Sequence, residues 1–249
     1  MKIRARSNIR KFGVVLSFYF VIFAAFFCPS SHAAEISSFA GADIDDHGQG
    51  FSYLGLDVTH KLDRHIGITG KVIPNYLAYK YKSGDQEIKA KAPGLFLVGG
   101  AKYFWDKSMI GLFGGGEFRD TDLSPDDPGS SVRGNTSSAL IQGEFDSWFS
   151  SGTNLYANAS YSFKTDFAYE KAKIRQQITN RSFQKPYSLY LGVEQFFGRN
   201  PDFQQEGVGV LLEVYHLVHR VSVAVKSGYK HDTSFGNGAY WGLDLYKGF

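Results

Sequence analysis

Two sets of residues in this 249-residue chain have the types and spacing to do chemistry at a surface. The first lies in the turn-rich run from Asp120 to Arg133, where Asp126, Asp127 and Arg133 could bind sugar hydroxyls, a protein partner, or a divalent ion bridging lipid phosphates. Oxygen ligands this close in sequence suit a hard cation, although a full coordination set is not in view. The same residues also make an ordinary turn. Pro125 and Pro128 fix φ, Gly129 permits a tight reversal, and the aspartates cap and solvate the loop. The second set is His47 beside Asp45 and Asp46, with His231 and Asp232 near the other end of the chain. If the chain closes on itself these meet, and such a group could hold a metal or activate a nucleophile. No serine is marked out as a partner by its spacing, and His60, His65, His216 and His219 fall near turns at the opposite end. The expectation is a protein without catalytic residues, cofactor or resident metal.

A third set is mixed in sign and spread along the chain: Lys71, Lys102, Glu117, Arg119, Glu144, Lys171, Lys173, Arg175, Glu194, Glu213, Lys226 and Asp244. What positions these residues is an alternation of period two. Val208, Val210, Leu212 and Val214 interleave with Gly207, Gly209 and Glu213, and Val221, Val223 and Val225 interleave with Ser222, Ala224 and Lys226. Leu155, Ala157, Ala159, Tyr161 and Phe163 oppose Asn154, Asn158, Ser160 and Ser162. Leu54, Leu56 and Val58 oppose Tyr53, Asp57 and Thr59, while Leu189, Leu191 and Val193 oppose Ser188, Tyr190 and Glu194. A helix would smear these charges around its surface; a strand puts them all on one face. Such runs predict about twelve strands, at 36–46, 50–60, 65–81, 87–104, 109–121, 136–149, 153–165, 168–179, 187–198, 204–217, 220–230 and 238–249.

The N-terminus supplies the context. Lys2, Arg4, Arg6, Arg10 and Lys11 precede an uncharged apolar run from Phe12 to Phe27, then Pro29 and small residues, with Ser31 and Ala33 spaced for cleavage after Ala33. Residues 1–33 therefore read as a signal peptide and residues 34–249 as the mature domain. The apolar core is shorter than the ~20 residues of a spanning helix. Phe27 before Cys28 stands where lipidation demands a small residue. Removing the leader takes five basic residues, so 27 minus 5 Lys+Arg face 24 Asp+Glu, about −2 in all. The basic balance belongs to the leader, and with it goes any case for nucleic acid. The mature part keeps no cysteine for a disulfide or thiol-ligated metal.

An exported chain with 22 Phe, 15 Tyr and 28 Gly, no later apolar span and an even strand count predicts an all-β fold: a transmembrane, antiparallel up-and-down β-barrel of the outer membrane. A soluble sandwich or lipocalin would alternate too, with its apolar face inward. The strand count, the leader and a last strand ending on Phe249 favour the membrane, with Lys247 as a departure from the apolar pattern. With both termini periplasmic, the expected periplasmic turns are Lys61–Arg64, Trp105–Ser108, Ser150–Gly152, Asn180–Pro186 and Val218–His219. Longer outer connections are expected at Thr121–Asn135, Gly198–Phe203 and His231–Asn237. The third set of residues then faces the lumen with Phe96, Phe113, Tyr190 and Tyr240, leaving either a plug of paired charges or a narrow conduit.

The stretch Gly111 to Gly134, with its core Pro125-Asp126-Asp127-Pro128-Gly129 followed by Val132-Arg133-Gly134, resembles the signature of the cellulose biosynthesis protein BcsS family. The similarity runs from the Phe51 to Leu56 strand to the closing hairpin at Tyr229 to Phe249. It implies an outer-membrane barrel accessory to the production or export of cellulose or a related exopolysaccharide, with no catalytic residues to carry over. Expected partners are outer-membrane lipid and lipopolysaccharide, the barrel assembly machinery, and cellulose synthase or export components or the polysaccharide itself. The alternatives are a small-solute channel and an enzyme acting from the outer loops.

Overall fold

The computed structural model describes residues 34–179 and 186–249. The leader with its cleavage site, and all of the expected turn at Asn180–Pro186 except its last residue, lie outside the described residues. The chain forms β1 (Ala34–Asp45), β2 (Gly50–Lys61), β3 (Ile66–Ser83), β4 (Gln86–Trp105), β5 (Ser108–Ser124) and β6 (Gly134–Trp148). It continues through β7 (Thr153–Ser162), β8 (Phe167–Gln177), β9 (Tyr187–Asn200), β10 (Phe203–His216), β11 (Val221–Asp232) and β12 (Gly236–Gly248). Each strand pairs antiparallel with the next, and β12 returns to β1 with Asp244 opposite Gly41, closing a twelve-stranded barrel without an edge. Every expected strand lies on an observed one, its ends shifted by at most three residues.

The direction of the alternation separates this barrel from a soluble one. Leu112, Val208 and Val210 are 72%, 62% and 58% exposed on the outer surface, while Lys71, Glu194 and Lys226 are buried inside. An apolar exterior around a charged interior is stable only in lipid. At the end where β1 begins and β12 stops, the terminal end, Tyr103 stacks between His65 and Trp105, and Trp105 meets Phe145, an aromatic cluster suited to the membrane interface. Lys247, which faces outward in β12, donates from Nζ to the His219 carbonyl at 2.8 Å, so its charge is drawn to the rim and leaves the apolar band intact.

The asymmetry between the two ends differs from the sequence expectation. The connections expected at Gly198–Phe203 and His231–Asn237 shrink to 201–202 and 233–235, because β9 reaches Asn200 opposite Phe203 and β11 reaches Asp232 opposite Gly236. Extending the ladder satisfies backbone groups that a loop would have left to water. Among the connections at this end, only 125–133 remains long. The extra height instead sits in β3, β4 and β5, of 18, 20 and 17 residues, where a tilted spanning strand needs about 9–11. β2 stops at Gly50 opposite Ala78, so the rest of β3 rises beyond it as part of a wall. The wall's inner face carries Tyr79, Tyr81, Ile88 and Ala90, which pack on Phe203 with Phe51, Leu123 and Phe167 around them.

Candidate functional site

The inner side chains of the strands enclose a lumen that narrows from one end to the other. At the end bearing the termini is a cavity of about 840 Å³ reaching from Lys61, Arg64 and Arg220 inward to Glu144, Tyr156 and Glu213. It continues, through shared walls at Phe39, Tyr156 and Arg175, into a cavity of about 260 Å³ at mid-barrel. Beyond Phe51 and Tyr169 the space falls to about 40 Å³, and beneath Val132, Tyr79 and Phe167 to about 10 Å³. The aromatic cluster under the wall thus closes the loop end to little more than single waters.

At the core of the lumen three lysines face three carboxylates. The Lys226 side chain is fully buried, with Nζ 2.6 Å from Asp43, 3.0 Å from Asp244 and 3.8 Å from Glu194. Lys171 lies 3.3 Å from Glu194 and 3.8 Å from Asp244, and Lys173 pairs closely with Asp244 and stands 4.0 Å from Glu194. The Tyr240 hydroxyl donates to Glu194 at 2.9 Å. Adjacent strands place these residues together because Glu194 in β9 is opposite Lys173 in β8, and Asp244 in β12 is opposite Ala224 in β11, two residues from Lys226.

Smaller groups flank this centre. Toward the terminal end, Lys71 pairs closely with Glu144 and, at 3.8 Å, with Asp57, which also holds Lys102 at 2.7 Å. Arg175 bonds Asn154 at 2.8 Å and pairs with Glu213, whose other oxygen accepts from Ser222 at 2.6 Å. Toward the loop end, Arg119 donates to Glu117 at 2.6 Å, to the Ala92 carbonyl at 2.9 Å and to Asn75 at 2.9 Å. All twelve lumenal residues singled out from the sequence therefore lie inside and are paired. Sequence reasoning left Asp43, Asp45 and Lys230 out of this network, although Asp43 and Asp45 alternate with Ala42 and Ile44 on β1 and that signal was legible.

The outer-loop trio turns its charges on itself and on the wall. Arg133 makes two bonds to Asp126, of 2.6 and 2.7 Å, and this carboxylate raises the guanidinium's pKa above its usual value. Asp127 accepts from the Tyr81 hydroxyl at 2.9 Å and from Gly129 N at 3.1 Å; the Tyr81 bond is the main reason its carboxyl sits below the usual range. Ser130 bonds Asp202 across the mouth at 2.7 Å, and Val132 is buried beneath the loop. The loop is thus fastened across the closed end.

Barrel closure brings the histidine sets near one another, but without a shared centre. His47 lies 3.4 Å from Asp46 and packs on Phe235, with ring centroids 5.5 Å apart, while His231 bonds Asn237 at 2.9 Å. Gln49 reaches Asp232 at 3.0 Å. The ligand atoms of Asp45, Asp46 and His47 lie within 4.8 Å of each other, yet Asp45 is already paired with Lys230 and accepts from Gln49 N at 2.7 Å. Asp46 accepts from Ala239 N at 3.1 Å. These bonds account for the group as a closure of the β1–β2 and β11–β12 turns.

Comparison with known proteins agrees with the geometry. No curated protein sequence matches the chain. Among solved structures, it is similar to an outer-membrane channel from Pseudomonas putida F1, at 12% identity and TM-score 0.51, covering 89% of this chain and 97% of that one. It is also similar to LpxR from Salmonella typhimurium, at 12% identity and TM-score 0.47, covering 86% and 100%. At 12% identity the likeness to the channel speaks to the barrel fold alone. The family model described as cellulose biosynthesis protein BcsS matches residues 36–249, which is the whole barrel from β1 to the last residue, so this outer-membrane β-barrel belongs to the BcsS family.

Proposed function

We propose that the barrel is a non-enzymatic accessory to cellulose production at the outer membrane, and that it works without an open pore. The observation behind this reading is the closure of the loop end by Tyr79, Tyr81, Ile88 and Phe203 above a lumen whose charges are already matched. A conduit for polymer would need a continuous path, whereas the space here shrinks from about 840 to about 10 Å³. In this reading Asp126, Asp127 and Arg133 hold the lid and present it to lipopolysaccharide or to emerging polymer. The terminal end faces the periplasm after the leader, residues 1–33, is removed, and meets synthase or export components there. The strand ending in Phe249 is what the barrel assembly machinery engages.

The second reading is a small-solute channel, favoured by the joined cavities and by the channel named among the similar structures. A complete deletion strain and planar-bilayer recordings test both. Loss of cellulose on deletion, restored by the wild-type gene, with no unitary conductance from the purified barrel, is the expected result. Undiminished cellulose after deletion overturns the accessory role, and steady conductance steps overturn the closed lumen.

A further inference from the structure

We propose that the wide cavity at the terminal end is a binding site for a short run of neutral, β-linked glucan, entered from the periplasmic side. This rests on the pathway reading above for the identity of the sugar, while the cavity itself dictates its chemical class. About 840 Å³ falls within the roughly 300–1,000 Å³ range of ligand pockets, which suits an oligosaccharide better than a single ring.

Charge decides against an ionic ligand. Six cationic side chains, from Lys61 to Arg220, line the cavity with six carboxylates, from Glu35 to Glu213. Two pairs deep in it are already made: Lys102 with Asp57, and Arg175 with Glu213. Such a wall offers no net attraction to an anion or a cation, yet it presents donors and acceptors side by side. Sugar hydroxyls, each both donor and acceptor, can use both kinds at once.

Aromatic surface completes the match. Trp148 and Tyr190 meet edge to face at 5.6 Å within the cavity, and Arg175 sits 5.1 Å from the Trp148 ring, which fixes the indole in orientation. Tyr156 lines both this cavity and the one above it. Asp146 beside them accepts from Asn154 at 3.0 Å and takes part in no ion pair among the described residues, which leaves acceptor capacity at the floor. The half-buried rings of Trp148 and Tyr156, bordered by carboxylates, suit a flat sugar ribbon that has apolar faces and polar edges. The aromatic cluster narrows the loop end, so the wide access to the cavity is at the terminal end.

The test uses the full mature chain in a detergent without a sugar headgroup. Trp105→Phe with Trp241→Phe leaves Trp148 as the only tryptophan, since the chain has 3. Cellotetraose should change its emission saturably and give a matching calorimetric isotherm. The α-linked isomer maltotetraose should bind about tenfold more weakly, and Trp148→Ala should weaken cellotetraose binding by about tenfold in calorimetry. Heat-modifiable gel mobility confirms that each variant is folded, and Asp146→Asn, which preserves shape, provides a second variant that should weaken binding several-fold. Absence of heat and of any emission change at millimolar cellotetraose overturns the proposal. Equal binding of maltotetraose overturns its specificity, and undiminished binding by both variants overturns its location. Cellulose output of the deletion strain reads the pathway role separately, so failure of one idea is distinguishable from failure of the other.

Discussion

Replacing Lys226 by Met keeps most of the side-chain volume and removes the one charge that touches Asp43, Glu194 and Asp244 together. At an effective dielectric of about 20, separations of 2.6, 3.0 and 3.8 Å correspond to roughly 4–6 kcal/mol of gross attraction each. Most of that is offset by the desolvation of a fully buried ammonium and by repulsion from Lys171 and Lys173. What the substitution leaves is three carboxylates facing two lysines around a buried position. Breaking a buried pair in this way costs about 3–5 kcal/mol, or roughly two to four orders of magnitude in the folded ratio. The assay is urea unfolding in lipid vesicles, followed by tryptophan emission and by gel mobility. Asp43→Asn in the Lys226→Met background restores charge balance and should recover about 1–2 kcal/mol. The reasoning fails if Lys226→Met unfolds within about 1 kcal/mol of wild type, since the network would then be worth no more than a solvated surface pair.

Opening the closed end should create a pore: Tyr79→Ala with Phe203→Ala removes two rings 5.5 Å apart, and conductance steps absent from wild type should appear in planar bilayers. Tyr81→Phe removes the bond that depresses the Asp127 pKa, and protease cleavage within 125–133 should accelerate while the barrel stays folded. A carboxyl depressed in the folded state contributes stability above its unfolded pKa of about 4 and loses it as pH falls through the lower folded value, so acidification below about pH 4 should loosen the wild-type loop as Tyr81→Phe does at neutral pH. Asp126→Ala with Arg133→Ala breaks an exposed pair only; heat-modifiable mobility should match wild type, and a barrel that fails to assemble would show the loop to be part of the fold's core.

The strands were legible because each repeats its pattern over ten or more residues, so an error at one end leaves the face assignment intact. Loop lengths were less legible. Asn200, Pro201 and Asp202 look like a loop in composition, yet the turn needs only 201–202, with Asp202 N bonding the Asn200 side chain at 2.9 Å. Composition marks where a turn occurs and says little about how far the ladder climbs toward it. Lumenal facing followed from parity, but pairing did not. Lys230 finds Asp45 and Gln49 finds Asp232 only because β12 closes on β1. The trio Asp126, Asp127 and Arg133 was visible as a set, whereas Tyr81, the partner that ties Asp127 down, lies 46 residues away. The cavity was the least legible of all, since Trp148, Tyr190 and Arg175 come from β6, β9 and β8 and share no local signal.

The charged lumen also bears on how the chain finds this fold. An apolar interior would be easier to desolvate, and buried ion pairs are often no more stabilising than apolar groups of the same shape. Yet strands apolar on both faces would have nothing to say which face meets lipid, and a slip of one residue would go unpunished. With Lys171, Lys173 and Lys226 on one face, the same slip turns lysines toward the bilayer, at about 2–4 kcal/mol each near its midplane. Matching each lysine with a carboxylate from another strand adds a second condition: Lys171 meets Glu194 and Lys226 meets Asp244 only when neighbouring strands keep register, and Lys173 meets Asp244 of β12 across the lumen only when the barrel is closed. The network therefore selects the facing and the closure together. That explains why so many charges are kept in a lumen that narrows toward the loop end.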